Sequence, residues 1–203
     1  MTAKAVDNTY FKELAGRDPQ TICRRIPGCR YEPDRRCYTL PVWGEEYVIC
    51  VHEEKIERAG VSTADPHELF YFFIVYYLLR SEGLQASGIW VSEKDIPGGT
   101  TFFRGPHEIP TRLISRRYGN RVEDFRTRCG RLHGTPLDMG DAAFWFEIAP
   151  DIHVAVLYWI GDDDFPAEAK VLYDKTITDR LPPDVVFSLA VEVCIRIAEG
   201  GTI

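Results

Sequence analysis

The segment Pro97–Pro110, Pro-Gly-Gly-Thr-Thr-Phe-Phe-Arg-Gly-Pro-His-Glu-Ile-Pro, holds the side chains of this chain best suited to chemistry. His107 offers an imidazole that can ligate a metal or a tetrapyrrole iron, or carry a proton. Arg104, three residues earlier, offers a planar fork for an anionic group. Gly98 and Gly99 let the backbone come close to a ligand, and with Thr100 they present amides that suit a phosphate. The lysine and the full glycine spacing of a P-loop are missing. The same residues also read as a rigid connection between two elements.

Asp162-Asp163-Asp164-Phe165-Pro166 forms a second cluster, directly after an apolar strand-like run. Three adjacent carboxylates repel one another unless a cation, an arginine or a helix N-terminus offsets them. Mg²⁺ or Ca²⁺ suits such oxygen ligands, but the spaced pattern of an EF-hand loop is absent. The alternative has Asp164 capping a turn at Pro166 while its neighbours meet Arg104 or another arginine. Cys23, Cys29, Cys37 and Cys50, with His52, are a third set of ligand types. They lack the close C-x₂₋₄-C pairs that point two sulfurs at one zinc ion or the compact spacing of an iron–sulfur site. No nucleophile elbow, Walker loop, dinucleotide fingerprint or H-E-x-x-H is present.

The charge of the chain is uneven. Overall it is −7, which argues against general affinity for nucleic acid or an anionic membrane, yet residues 104–131 carry eight arginines against three carboxylates and so stand at +5, leaving −12 for the rest. Leu69–Leu79 is the most apolar stretch, about half of the ~20 residues needed to span a bilayer, and no signal-like segment opens the chain. A cytoplasmic protein without membrane insertion is expected. Its six cysteines are then expected to be reduced, each a small buried hydrophobe.

The elements that must position these residues follow from periodicity. Residues 9–16 suit a short helix, and Cys23–Arg36 has no period, so residues 1–36 read as an N-terminal arm with a cysteine-rich irregular segment. Cys37–Val42 and Glu46–His52 alternate around Trp43-Gly44-Glu45 as a hairpin. Asp65-Pro66-His67-Glu68 carries the signals of a helix start, and the helix it opens is apolar on nearly every side and stops at Gly83. Gly88–Ser92 reads as a short strand, and two arginine-rich helices follow, one from Pro110 to Tyr118 and one opened by Asn120. Ala142–Ile148 and Ile152–Ile160 form a second hairpin, Ala169–Tyr173 an edge strand, and Pro183–Glu199 an amphipathic closing helix. The expected fold is α+β. Residues 37–203 make a single domain with an antiparallel or mixed sheet built from two hairpins, a central buried helix and flanking helices.

The ordered motifs Gly88-Ile89-Trp90-Val91-Ser92, Pro97-Gly98-Gly99 through Arg104-Gly105-Pro106-His107, Asp141-Ala142-Ala143, Trp159, Asp162–Pro166 and Leu172-Tyr173-Asp174 resemble a bacterial and archaeal family catalogued as domain of unknown function three-seven-eight-six. The resemblance spans about residues 45–199 and leaves out the cysteines of the arm. It implies a protein of anaerobes, with relatives joined to iron–sulfur domains of corrinoid and carbon monoxide dehydrogenase systems; it brings no catalytic residues.

Three functions are compatible with these residues. The first is an accessory protein of anaerobic metabolism that binds an anionic cofactor, a corrinoid or haem-type tetrapyrrole. The contacts would be His107, Arg104, Gly98, Gly99, Thr100, Trp90, Trp159, Arg112 and Arg116. The second is an enzyme using His107 as acid or base, with Asp162, Asp163 and Asp164 holding a divalent cation or orienting the imidazole. The third is a protein-interaction subunit whose partner belongs to an anaerobic one-carbon or redox system.

Overall fold

Alternating apolar residues and a two-residue turn build the first sheet. The computed structural model describes residues 6–60, 66–81 and 85–199. Strands β2 (Cys37–Val42) and β3 (Glu45–Cys50) pair antiparallel through Trp43 and Gly44, whose φ values of 48° and 74° are those of the turn that matches strand twist. Tyr38, Leu40, Tyr47 and Ile49 are buried. β1 (Arg30–Glu32) and β4 (Lys55–Ala59) flank them, giving the order β1-β2-β3-β4.

Helices α1 (Asn8–Ala15), α2 (Pro19–Arg25) and α3 (Phe70–Arg80) belong with this sheet. Asp7 caps α1 and Asp18 caps α2, each accepting from amides two or three residues on. Cys23–Arg36, expected as irregular, therefore holds helical and strand residues; Asp18-Pro19 is the start signal that supplies them. The expectation of a nearly all-apolar third helix holds, since Phe70, Phe73, Ile74, Val75 and Leu78 are fully buried. Of its expected signals, Asp65 and Gly83 lie outside the described residues.

A second sheet has the order β5-β9-β8-β7-β6, formed by β5 (Trp90–Val91), β6 (Thr135–Leu137), β7 (Ala142–Ala149), β8 (Ile152–Trp159) and β9 (Glu168–Asp174). The pairs β5·β9, β8·β9 and β6·β7 run antiparallel. β9, expected at the edge, is interior because β5 pairs with its far side. The remaining helices are α4 (Gly99–Phe102), α5 (Arg112–Tyr118), α6 (Val122–Arg131), α7 (Lys175–Arg180) and α8 (Pro183–Ala198). The apolar face expected of α8, from Val186 to Ile197, is buried.

The class is α+β, with two sheets. Contacts group the chain into two units, residues 1–84 with Ile148–Pro150, and residues 85–147 with 151–203. Residues 1–36 lie in the first. Among the described residues no helix is long and apolar enough to cross a membrane.

Candidate functional site

The loop Pro97–Pro110 is built by packing. Ser92 and Asp95 close a reciprocal cap on a short 3-10 turn, Glu93–Asp95, and α4 folds back on it. A Cβ at Gly99 would lie 1.9 Å from the Glu93 carbonyl oxygen, so glycine is required there by the chain's own backbone. Gly98 enters α4 with φ 78°. His107, in a second 3-10 turn, Gly105–His107, stacks on Phe102 with ring centroids 4.4 Å apart and meets the edge of Phe187 at 5.4 Å. His107, Arg104 and Thr100 are exposed.

Trp90 and Trp159 come to one place. Together with Trp145 and Leu137 they pack, partly buried, against Ala143, Ala155, Leu157 and Leu172 on one face of the second sheet. Arg112 is exposed, 3.9 Å from Glu108. Arg116 lines a hollow of about 350 Å³ with Asn120, Asp162 and Phe165. The capping residue of the aspartate run is Asp162, not Asp164: its Oδ1 accepts from the amides of Asp164 at 2.9 Å and Phe165 at 2.7 Å. Asp162 stands at the position from which a side chain reaches two and three residues forward. Asn120, expected to open α6, instead accepts from the Gly161 amide, and Arg121 precedes the helix.

Four more arginines, 117, 121, 128 and 131, line a hollow of about 200 Å³ with Tyr118 and Asp124. Two of them have structural work. Arg121 donates to the carbonyls of Tyr118 and Arg117 at the end of α5, and Arg128 donates to the carbonyl of Arg196 at the end of α8. Cations at helix C-termini meet the negative end of the dipole. Burial makes the Arg128 guanidinium easier to deprotonate than usual. Neither this hollow nor that of Arg116 takes lining from the His107 loop.

The four arm cysteines do not form one ligand set. Cys37 and Cys50 are directly opposed on β2 and β3, with Cα atoms 4.1 Å apart, and are joined by a disulfide. Their expected reduced state is thus corrected. Disulfide sulfurs carry no thiolate for a metal. Cys23 and Cys29 face each other separately, and Cys129 and Cys194 are buried thiols. No group of three or more His, Cys, Asp or Glu suited to a metal occurs among the described residues.

A hollow of about 550 Å³ lies within the first unit and was not anticipated. Phe11, Leu14 and Tyr38 are its buried wall, and Tyr31 leans on Tyr38 with ring centroids 4.7 Å apart. Burial, and then the neighbouring Tyr31, push the Tyr38 phenol upward, so it stays protonated and neutral. Lys12, Arg17, Arg36 and His52 stand around these rings, with Glu54 the one carboxylate of the lining among the described residues. Arg36 is held at φ 51° by the β1–β2 turn, a conformation L-residues adopt at a cost. A hollow of this size with an apolar wall and a few placed charges has the dimensions of small-molecule sites. The signal in the sequence was the interleaving of Lys12, Arg17 and Arg36 with Phe11, Tyr31 and Tyr38, which has no fixed period because it spans two helices and a hairpin.

Residues 18–196 match the model of the family described as Domain of unknown function (DUF3786), and the chain belongs to that family. The matched span begins ahead of Cys23, so the cysteine segment is part of the family region rather than an addition to it. No curated protein and no solved structure gives a significant match.

Proposed function

We propose that this protein is a binding protein for an anionic organic molecule with a flat apolar body, seated in the 550 Å³ hollow of the first unit. The observation that carries the reading is the composition of that lining, aromatic rings at the wall with Lys12, Arg17 and Arg36 around them. Rings take up apolar area and cations take up the acid group, each compensating the desolvation of its own half of the ligand. Haem-type and corrinoid tetrapyrroles belong to this class, and His52 in the lining supplies an imidazole for their metal. Support for His107 in that role is weaker, because its ring is engaged by Phe102 and Phe187.

Haemin is the direct probe. Titration should saturate at one molecule per chain with a shifted Soret band, and Arg36→Gly and Lys12→Ala should each weaken it about tenfold, as expected for loss of a partly desolvated charge. Arg36→Gly relieves the backbone of its turn, so weaker binding cannot be ascribed to unfolding. Binding that does not saturate, or that both variants leave unchanged, rejects the reading.

The second reading, an interaction subunit, draws on the sheet face where Trp90, Trp145, Trp159 and Leu137 are only partly buried. Large aromatic residues are enriched where proteins dock. Light scattering of wild type against Trp159→Ser tests it: a complex or oligomer that the substitution dissolves supports it, and a monomer alone and in lysate speaks against it.

A further inference from the structure

Cys23 and Cys29 are held together by the fold. Cys23 lies on α2, which Asp18 caps, and Cys29 follows a tight turn in which its amide donates to the carbonyl of buried Ile26 at 3.0 Å. Pro27 and Gly28, the latter at φ 79°, fix the path between them. The two sulfurs stand 3.1 Å apart. A disulfide needs about 2.05 Å, so closure takes a movement of roughly 1 Å. A tetrahedral metal with M–S bonds of about 2.3 Å would hold two sulfurs roughly 3.7 Å apart and would need further ligands. The separation therefore favours a bond between the sulfurs over a shared metal. Both residues are half-buried and within reach of a small reagent, unlike the fully buried Cys129 and Cys194.

We propose that Cys23 and Cys29 are a redox-active dithiol site that reacts with low-molecular-weight disulfides of the glutathione type and closes to a second disulfide beside Cys37–Cys50. Burial and the neighbouring sulfur favour the thiol form of Cys29. Either sulfur can attack first; the steps with Cys23 in that role hold equally with the two sulfurs interchanged. The Cys23 thiolate attacks one sulfur of the small disulfide, forms a mixed disulfide and releases one thiolate. The Cys29 thiol then gives up its proton and its sulfur attacks Cys23 Sγ, releasing the second thiolate. Two protein thiols are oxidised, one small disulfide is reduced to two thiols, and the protons leave on them. The fixed 3.1 Å approach makes the second step intramolecular, so the mixed disulfide should not accumulate. Neither sulfur lines the 550 Å³ hollow, and the site stands whether or not that hollow binds a ligand.

The test uses the full chain in glutathione buffers of graded oxidised-to-reduced ratio, quenched in acid, alkylated under denaturing conditions and digested with trypsin. Cys23 and Cys29 should lose alkylation together in one step, the chain should lose two hydrogens, and peptide 18–24 should appear joined to peptide 26–30. In Cys23→Ser, Cys29 should carry glutathione or remain alkylatable, with no other cysteine replacing the partner. Stable glutathione adducts on both residues of the wild type would overturn the proposal. So would thiols that persist up to fully oxidised glutathione, or pairing of either residue with Cys37 or Cys50.

Discussion

Asp174 accepts both the backbone amide and the hydroxyl of Ser87, at 2.9 to 3.0 Å, across 87 residues of sequence. The Gly88 amide at 2.6 Å and the amide and hydroxyl of Thr176 at 2.9 and 2.6 Å complete its shell, and the residue is fully buried. Burial alone would raise this carboxyl. The hydrogen bonds from Thr176 and Ser87 outweigh it and bring it to about 2, from an ordinary 3.8. One carboxylate thereby caps α7, ends β9 and fixes the segment leading into β5, the strand ahead of the His107 loop.

The first prediction follows from the sign of that shift. A folded value below the unfolded one stabilises fully above about pH 4 and is lost as pH falls toward 2, a contribution of about 2 kcal/mol at roughly 1.4 kcal/mol per unit. Asp174→Asn keeps one acceptor oxygen but turns an NH2 group toward donors it cannot accept from, and should cost about 2–3 kcal/mol at pH 7 in urea unfolding. The gap to wild type should narrow between pH 4 and 2. A pH-independent gap would show that packing rather than charge sets the effect.

Glu13 and Arg80 tie α1 to α3 through two bonds of 2.6 and 2.7 Å. The Arg80 guanidinium, and then Arg17, lower Glu13 to about 2. Glu13 is a third exposed, and solvent screens much of this, so Glu13→Gln should cost only about 1 kcal/mol above pH 4.5. The loss should shrink in 1 M salt and vanish as pH falls toward 2. Urea titrations at two salt concentrations decide it; equal losses in both would remove the ionic contribution.

How far these features were legible depends on the reach of each interaction. The hairpins, α3 and α8 are set by local period and turn residues, and the sequence pattern matches them. The Cys37–Cys50 bond was missed because a cytoplasmic setting implied reduced thiols, and one residue of register hid the pairing as well. A turn of Trp43-Gly44-Glu45 puts Cys37 opposite Val51, whereas the two-residue turn observed puts it opposite Cys50. β9 was placed at the edge because the short strand expected at Gly88–Ser92 gives no sign of its partner, which lies more than 80 residues on in sequence. The Asp174 shell joins residues 87 apart, and the hollow of the first unit joins Phe11 to Glu54; neither leaves a spacing to read. His107 and Arg104 stood out as chemistry because a glycine-rich loop resembles a ligand loop, although packing against Glu93 explains Gly99.

That explanation separates two adjacent glycines. A Cβ at Gly99 would strike the Glu93 carbonyl at 1.9 Å, so Gly99→Ala must displace backbone and should cost about 3 kcal/mol or more. A Cβ at Gly98 meets nothing within 4 Å, so Gly98→Ala should lose only the roughly 1–2 kcal/mol of left-handed strain. Thermal unfolding of both variants checks the order. If Gly99→Ala were as stable as wild type, the loop would be held by something other than its contact with the preceding turn.

Tyr173 offers the opposite expectation. It is fully buried on β9, between Val154 of β8 and Val91 of β5, and its hydroxyl has no hydrogen-bond partner among the described residues. Burial drives its phenol well upward, so the group is a neutral donor held away from water. Tyr118 and Tyr158 are comparably placed but satisfied, donating at 2.5 Å to the carbonyls of Ile197 and Gly119. Removing an unsatisfied buried hydroxyl restores its desolvation cost and leaves a gap of one atom, so Tyr173→Phe should be neutral or stabilising by up to about 1 kcal/mol. Tyr158→Phe orphans the Gly119 carbonyl and should cost about 1 kcal/mol or more. Urea midpoints of the pair give the answer by sign alone: a destabilised Tyr173→Phe would mean that its hydroxyl has a partner in solution.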